Sequence, residues 1–108
     1  MKKHLGIFFI LFILISMQTN AQTWEMVWSE EFNGTGAPDS DKWIYELGYI
    51  RNNELQYYTN STDNARQING NLEIVLREEA IEDFNYTSGS ITTETKADWL
   101  YGKIEGRF

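Results

Sequence analysis

Beyond position 22, apolar and polar residues alternate with a period of two in most segments, and no stretch there keeps the 3.6-residue period of an amphipathic helix. Trp24, Met26 and Trp28 alternate with Glu25, Val27 and Ser29, which predicts a half-buried strand opening the segment 24–32. A loop with the only proline, Pro38, follows over 33–41, and Asp39-Ser40-Asp41 has the composition to cap a short helical turn under Lys42 and Trp43. Trp43 to Leu47 alternates weakly and predicts a short strand. Asn52-Asn53 reads as a loop entering a strand that ends at Thr59, with Leu55, Tyr57 and Thr59 on one face and Glu54, Gln56 and Tyr58 on the other. Ala65 to Ile68 and Asn71 to Glu78 flank Asn69-Gly70, a dipeptide that predicts a tight hairpin. The acidic run from Glu78 to Asn85 reads as an exposed loop, Tyr86 to Thr95 as a strand, and Trp99 to Phe108 as a further strand. Short strands with closely spaced turns predict an all-β sandwich or barrel. About six such strands leave bare edges and a half-covered core, so the expectation is the N-terminal part of a larger domain, spanning 22–108.

The one long apolar run lies ahead of these strands. Lys2 and Lys3 precede an apolar stretch from Leu5 to Met17, and Thr19-Asn20-Ala21 ends in a small residue. This order predicts a secretory signal peptide over 1–21 and a secreted, periplasmic or cell-surface protein. The run is short of the ~20 residues of a membrane span, so stable insertion after cleavage is not expected; an uncleaved anchor is the alternative.

Charge and residue inventory narrow the chemistry. Of 9 basic residues, two lie in the leader, so the remainder carries 7 − 16 = −9. That balance argues against nucleic acid or an anionic membrane as partner. There is no cysteine, and the only histidine is His4. Residues 22–108 therefore exclude histidine-dependent nucleophilic triads and histidine-ligated zinc, and leave carboxylate chemistry and oxygen-ligated cations.

The stretch Asn52 to Thr59 concentrates amides, a carboxylate and two phenols. Amides and acids pair with sugar hydroxyls, and aromatic faces cover the apolar faces of sugar rings. The same residues equally make an ordinary strand with a tyrosine-rich packing face, and composition alone favours that plainer reading. Glu30 and Glu31 point opposite ways on an extended chain, which argues against a catalytic dyad.

Several motifs recur in a known order: Val27-Trp28-Ser29-Glu30-Glu31-Phe32-Asn33-Gly34, Asn52-Asn53-Glu54-Leu55-Gln56-Tyr57-Tyr58-Thr59, Asn64-Ala65-Arg66, Asn69-Gly70-Asn71-Leu72, Tyr86-Thr87-Ser88-Gly89 and Tyr101-Gly102-Lys103-Ile104-Glu105. Together they resemble the N-terminal part of glycoside hydrolase family 16, in its laminarinase-like branch, over nearly all of 24–108. The resemblance implies a concanavalin-like β-jelly-roll sandwich of antiparallel sheets with a glucan cleft. It implies a retaining endo-hydrolase of β-1,3 or mixed β-1,3/1,4 glucan, with β-glucan as the partner and no cofactor required for the chemistry. The family's two carboxylates lie on one strand, in a Glu-x-Asp-x-x-Glu or Glu-x-Asp-x-Glu pattern. No glutamate here is followed two residues later by aspartate, so no catalytic residue is carried over, and Glu54, Glu94 and Glu105 are not substitutes.

The resemblance does assign Asn52 and Asn53 to the loop at the cleft, where an asparagine binds a sugar hydroxyl; turn stabilisation is the competing role. Leu55 and Ser90 stand where some members carry arginine. Glu31 and Gly70 match positions that help hold a structural calcium. Trp99 and Tyr101 are assigned to packing ahead of the cleft. A non-catalytic carbohydrate-binding sandwich is the alternative to the enzyme.

Overall fold

The structure, a computed structural model, describes residues 21–108; positions 1–20 of the expected leader lie outside the described residues. Among the described residues seven short strands form and no helix. They are β1 (Ile44–Tyr45), β2 (Gln56–Tyr58), β3 (Ala65–Ile68), β4 (Asn71–Ile74), β5 (Arg77–Ile81), β6 (Phe84–Ser88) and β7 (Ile91–Thr92). They make three small sheets, β1–β7, β2–β6–β5 and β3–β4.

The β3–β4 hairpin forms where Asn69-Gly70 predicts it, with Ile68 opposite Asn71 and Gln67 opposite Leu72. Asn69 and Gly70 take φ of 53° and 76°, the left-handed pair that a two-residue turn of the primed type requires. The return strand is shorter than the alternation predicts. The regular strand ends at Ile74, and one further hydrogen bond in the same register follows, from the Val75 N–H to the Asn64 carbonyl at 2.8 Å.

The acidic run is corrected from loop to hairpin. β5 and β6 pair antiparallel from Arg77 opposite Thr87 to Ile81 opposite Phe84, with an irregularity between Glu78 and Ile81. Glu78 and Glu79 point to opposite faces of an edge strand and both are exposed, so the acids keep their contact with water. Glu82-Asp83 supplies the turn, with Glu82 at φ 50°. The strand expected over 86–95 divides at Gly89-Ser90 into β6 and β7. One pairing departs from the expected antiparallel order: β2 runs parallel to β6, with Gln56 opposite Tyr86 and Tyr58 opposite Ser88.

Two predicted strands do not form. Residues 24–32 and 99–108 enter no ladder, because no described strand lies alongside to accept their hydrogen bonds. Their alternating side chains are accordingly open, with Met26 at 80% and Ile104 at 92% exposure. Trp28 instead packs edge-on against Trp43 and Trp99, with centroids 5.6 and 5.3 Å away, and Phe32 stacks on Trp43 at 5.7 Å. Trp99 touches Trp28 but stays 45% exposed, and Tyr101 is 89% exposed. The expected cap forms: Asp39 Oδ1 accepts from the Asp41 N–H at 2.9 Å, and the Asp39 carbonyl accepts from Lys42 and Trp43.

The buried centre is largely polar. Asn64 and Thr87 are each 1% exposed, alongside Gln67, Ser88, Ala65 and Tyr58. Asn64 Nδ2 donates to the Val75 carbonyl at 3.1 Å and to Thr87 Oγ1 at 3.0 Å, and its Oδ1 accepts from Thr59. Thr87 Oγ1 in turn donates to Glu79 at 2.9 Å. Every polar atom of the Asn64 amide is engaged, which is what makes its burial tolerable. Gln67 clasps the 33–41 loop in the same way: its Nε2 donates to the Ala37 carbonyl at 2.8 Å and its Oε1 accepts from the Gly34 N–H at 3.2 Å. Among the described residues no helix is long and apolar enough to cross a membrane.

Candidate functional site

The Asn52-Asn53 segment is the tip of a closed loop. Gly48 and Tyr58 exchange both backbone hydrogen bonds, at 2.8 and 3.0 Å, so residues 49–57 leave and return to one point beside β2. At the tip the Glu54 N–H donates to the Arg51 carbonyl at 3.3 Å, and Asn52 and Asn53 take φ of 60° and 52°. Two successive left-handed residues define a tight turn that asparagine tolerates better than most residues. Both asparagines therefore serve the turn, and both residues stand on the exposed surface.

Side chains fix the loop from two directions. On one side the Arg51 guanidinium grips Glu46 with both nitrogens, at 3.1 and 2.7 Å, and Ser90 Oγ donates to the same carboxylate at 2.5 Å. The Glu46 N–H also donates to the Ser90 carbonyl at 2.9 Å, tying the loop base to the start of β7. Ser90 thus supports the loop through Glu46. On the other side the Tyr49 hydroxyl donates to Asn53 Oδ1 at 3.0 Å. The Tyr49 ring stacks on Phe84 of β6, centroids 5.6 Å apart, and Tyr57 tilts against the same ring at 5.6 Å. Sequence reasoning missed Glu46, Arg51 and Tyr49. Glu46 and Ser90 meet across 44 positions, and no local spacing signals that pairing.

Along β2, Gln56 Nε2 donates to the Tyr58 hydroxyl at 3.0 Å, which donates to Glu54 Oε1 at 3.1 Å. Glu54 Oε2 is closed off from solvent and has no partner among the described residues. Leu55, beside it, is exposed.

Glu31 and Gly70 share only Asn33 as a neighbour. Glu31 and Asn33 line an open hollow with Glu30, Asp39 and Lys42, and a β-carbon on Gly70 would lie 3.9 Å from Asn33 Oδ1. Glu30 is committed elsewhere: it accepts from the Phe32 N–H at 2.8 Å and the Trp43 indole at 3.2 Å, and lies 3.6 Å from Lys42 Nζ. Burial raises the Glu30 pKa, but these donors and the lysine charge outweigh it and hold the carboxyl below its ordinary value. Among the described residues no group of three or more acidic, histidine or cysteine side chains is placed to hold a metal. Glu31, Asn33 and the Gly70 carbonyl fall short of the six to eight oxygens calcium takes, so these residues alone do not fit a calcium site.

The all-β scaffold thus projects two asparagines from a tight turn beside stacked aromatic rings. No family model matches the chain. A β-glucanase of Rhodothermus marinus is 47% identical over 90 residues, covering 81% of this chain and 32% of that protein. The laminarinase structure from Rhodothermus marinus superposes with a TM-score of 0.70 at 47% identity, over 74% of this chain and 33% of that one. A non-specific endo-β-1,3(4)-glucanase of family GH16 superposes with a TM-score of 0.65 at 43% identity, over 72% of this chain and 34% of that one. Over the stretch they share, the chain belongs with the laminarinase-like members of glycoside hydrolase family 16, with their jelly-roll fold. It spans about a third of the length of the relatives it matches.

Proposed function

We propose that this chain forms the substrate-positioning part of an exported endo-β-glucanase acting on internal β-1,3 or mixed β-1,3/1,4 bonds. The observation that carries the reading is the exposed Asn52-Asn53 turn, locked by Glu46, Arg51 and Tyr49 at the edge of an aromatic cluster. Carbonyl and amino groups of such amides pair with sugar hydroxyls, and a loop already rigid in the free protein loses little entropy on binding. The β-glucanases among its relatives support this substrate class. The leader-like order of residues 1–21 supports export.

The chemistry proposed is retaining: one carboxylate attacks the anomeric carbon while a second protonates the leaving oxygen, the pair standing ~5–5.5 Å apart. Neither acid is assigned to this chain, where the Glu-x-Asp pattern is absent. Glu31 and Gly70 are proposed to contribute to a structural calcium only together with oxygens from outside the chain.

The test uses the protein with its complete family 16 domain. Reducing-sugar release from laminarin and mixed-linkage glucan is expected, with the β-anomer formed first. Binding without hydrolysis would replace the enzyme by a carbohydrate-binding sandwich, and an α-anomer formed first would refute the retaining mechanism.

A further inference from the structure

The Asn53 amide is held by one side only. Its Oδ1 accepts the Tyr49 hydroxyl at 3.0 Å, and its Nδ2 has no acceptor among the described residues. An amide has two donors and one carbonyl acceptor, and its two faces exchange by a half-turn about the terminal bond. In the structure the tyrosine hydroxyl meets Oδ1, which leaves Nδ2 as the open side of the amide. The ring that carries the hydroxyl is stacked at 5.6 Å and 30° on Phe84, a residue that stands opposite Ile81 in the β5–β6 ladder. The backbone beneath adds nothing to this choice, since φ of 52° sets the turn and not the amide.

We infer that Tyr49 is a positioning residue: through its hydroxyl it presets the Asn53 amide so that the two Nδ2 donors face outward to an oxygen acceptor of the bound glucan. The inference rests on the reading of Asn53 as a sugar contact. It adds a direction to that contact, with the protein donating and a glucose hydroxyl or ring oxygen accepting. It also separates the two roles of Tyr49: the ring packs and the hydroxyl orients.

The test is a cycle in the protein with its complete domain, using Tyr49→Phe, Asn53→Gly and the double variant. Phenylalanine keeps the ring on Phe84, and glycine keeps the left-handed backbone. Tyr49→Phe is expected to raise KM for laminarin ~5-fold, the worth of one ordinary hydrogen bond, with kcat unchanged. Asn53→Gly is expected to raise KM at least as much, and the double variant no further. In amide NMR of the unliganded protein, Tyr49→Phe is expected to shift the Asn53 side-chain N–H pair while the Phe84 signals stay. An unchanged KM in Tyr49→Phe beside a raised KM in Asn53→Gly overturns the inference and leaves the sugar contact standing. Additive effects overturn it too, since Tyr49 would then touch sugar independently. An unchanged KM in Asn53→Gly removes the sugar contact and the inference together.

Discussion

Gly89 lies so close to Ala65 that a β-carbon on it would stand 2.6 Å from the alanine methyl and 2.8 Å from the Asn64 carbonyl oxygen. Ala65 is fully buried, and Gly89 directly follows β6, so the start of β3 and the end of β6 touch backbone to backbone. Gly89→Ala is expected to destabilise the folded protein by about 1–3 kcal/mol, the usual cost of forcing a methyl into a filled space. Thermal or urea unfolding of the complete-domain protein checks this. An unchanged midpoint would mean that the two strands can separate without loss.

Asn64 is the second structural test. Asn64→Ala leaves the Val75 carbonyl without its side-chain donor and the hydroxyls of Thr59 and Thr87 without their amide partner, inside the structure. A loss of about 2–4 kcal/mol is expected, since unsatisfied buried groups cost ~1–3 kcal/mol each and are partly rescued by water. Asn64→Asp should fare little better, because a carboxylate cannot donate to the Val75 carbonyl.

Glu30 gives a pH signature. Its folded pKa is depressed, so it contributes stability that is present above its ordinary value of 4.5 and is lost as pH falls through the lower folded value. Glu30→Gln is expected to cost about 1–3 kcal/mol near pH 7, where the charged acceptor serves Phe32, Trp43 and Lys42. The difference between the two proteins should shrink in acid below the ordinary value. A gap that stays constant down to strong acid would assign the effect to packing rather than to the charge.

Residues 22–108 expressed alone are expected to release no sugar from laminarin or mixed-linkage glucan, because they contain no Glu-x-Asp pair to supply nucleophile and acid. Reducing-sugar assay settles this. Hydrolysis lost on replacing a single glutamate in that segment would show that the chemistry resides here after all.

The parts of this fold that were legible in the sequence are those set by neighbours. Asn69-Gly70 announces its turn through φ preferences alone, and the Asp39 cap follows from one side chain and the N–H two residues on. The Glu82-Asp83 hairpin was not legible, because the acids that fill β5 conceal the Ile81–Phe84 pair that closes it. The alternation over 24–32 and 99–108 describes side chains suited to a strand, but a strand also needs a ladder partner, and that information lies in no local pattern. The candidate site was legible as a composition of amides and phenols around Asn52-Asn53. Its supports were not, since Glu46 meets Ser90 only through the tertiary fold, and the role of Tyr49 depends on Phe84, 35 positions along the chain.

The supports of the Asn52-Asn53 loop differ in how far apart in the chain their partners lie, and that sets an order of events as the polypeptide organises. The β3–β4 and β5–β6 hairpins close two-residue loops and can form within ~1–10 μs. The β2–β6 pairing spans 30 positions and the β1–β7 pairing spans 46–48, so each must wait for a much larger stretch of chain to be drawn together. Ser90 can reach Glu46 only when β1 and β7 have met, and Tyr49 can rest on Phe84 only when β6 is in place. The Asn52-Asn53 loop is thus among the last features to set, and species that have closed only the hairpins still lack the contacts that hold it.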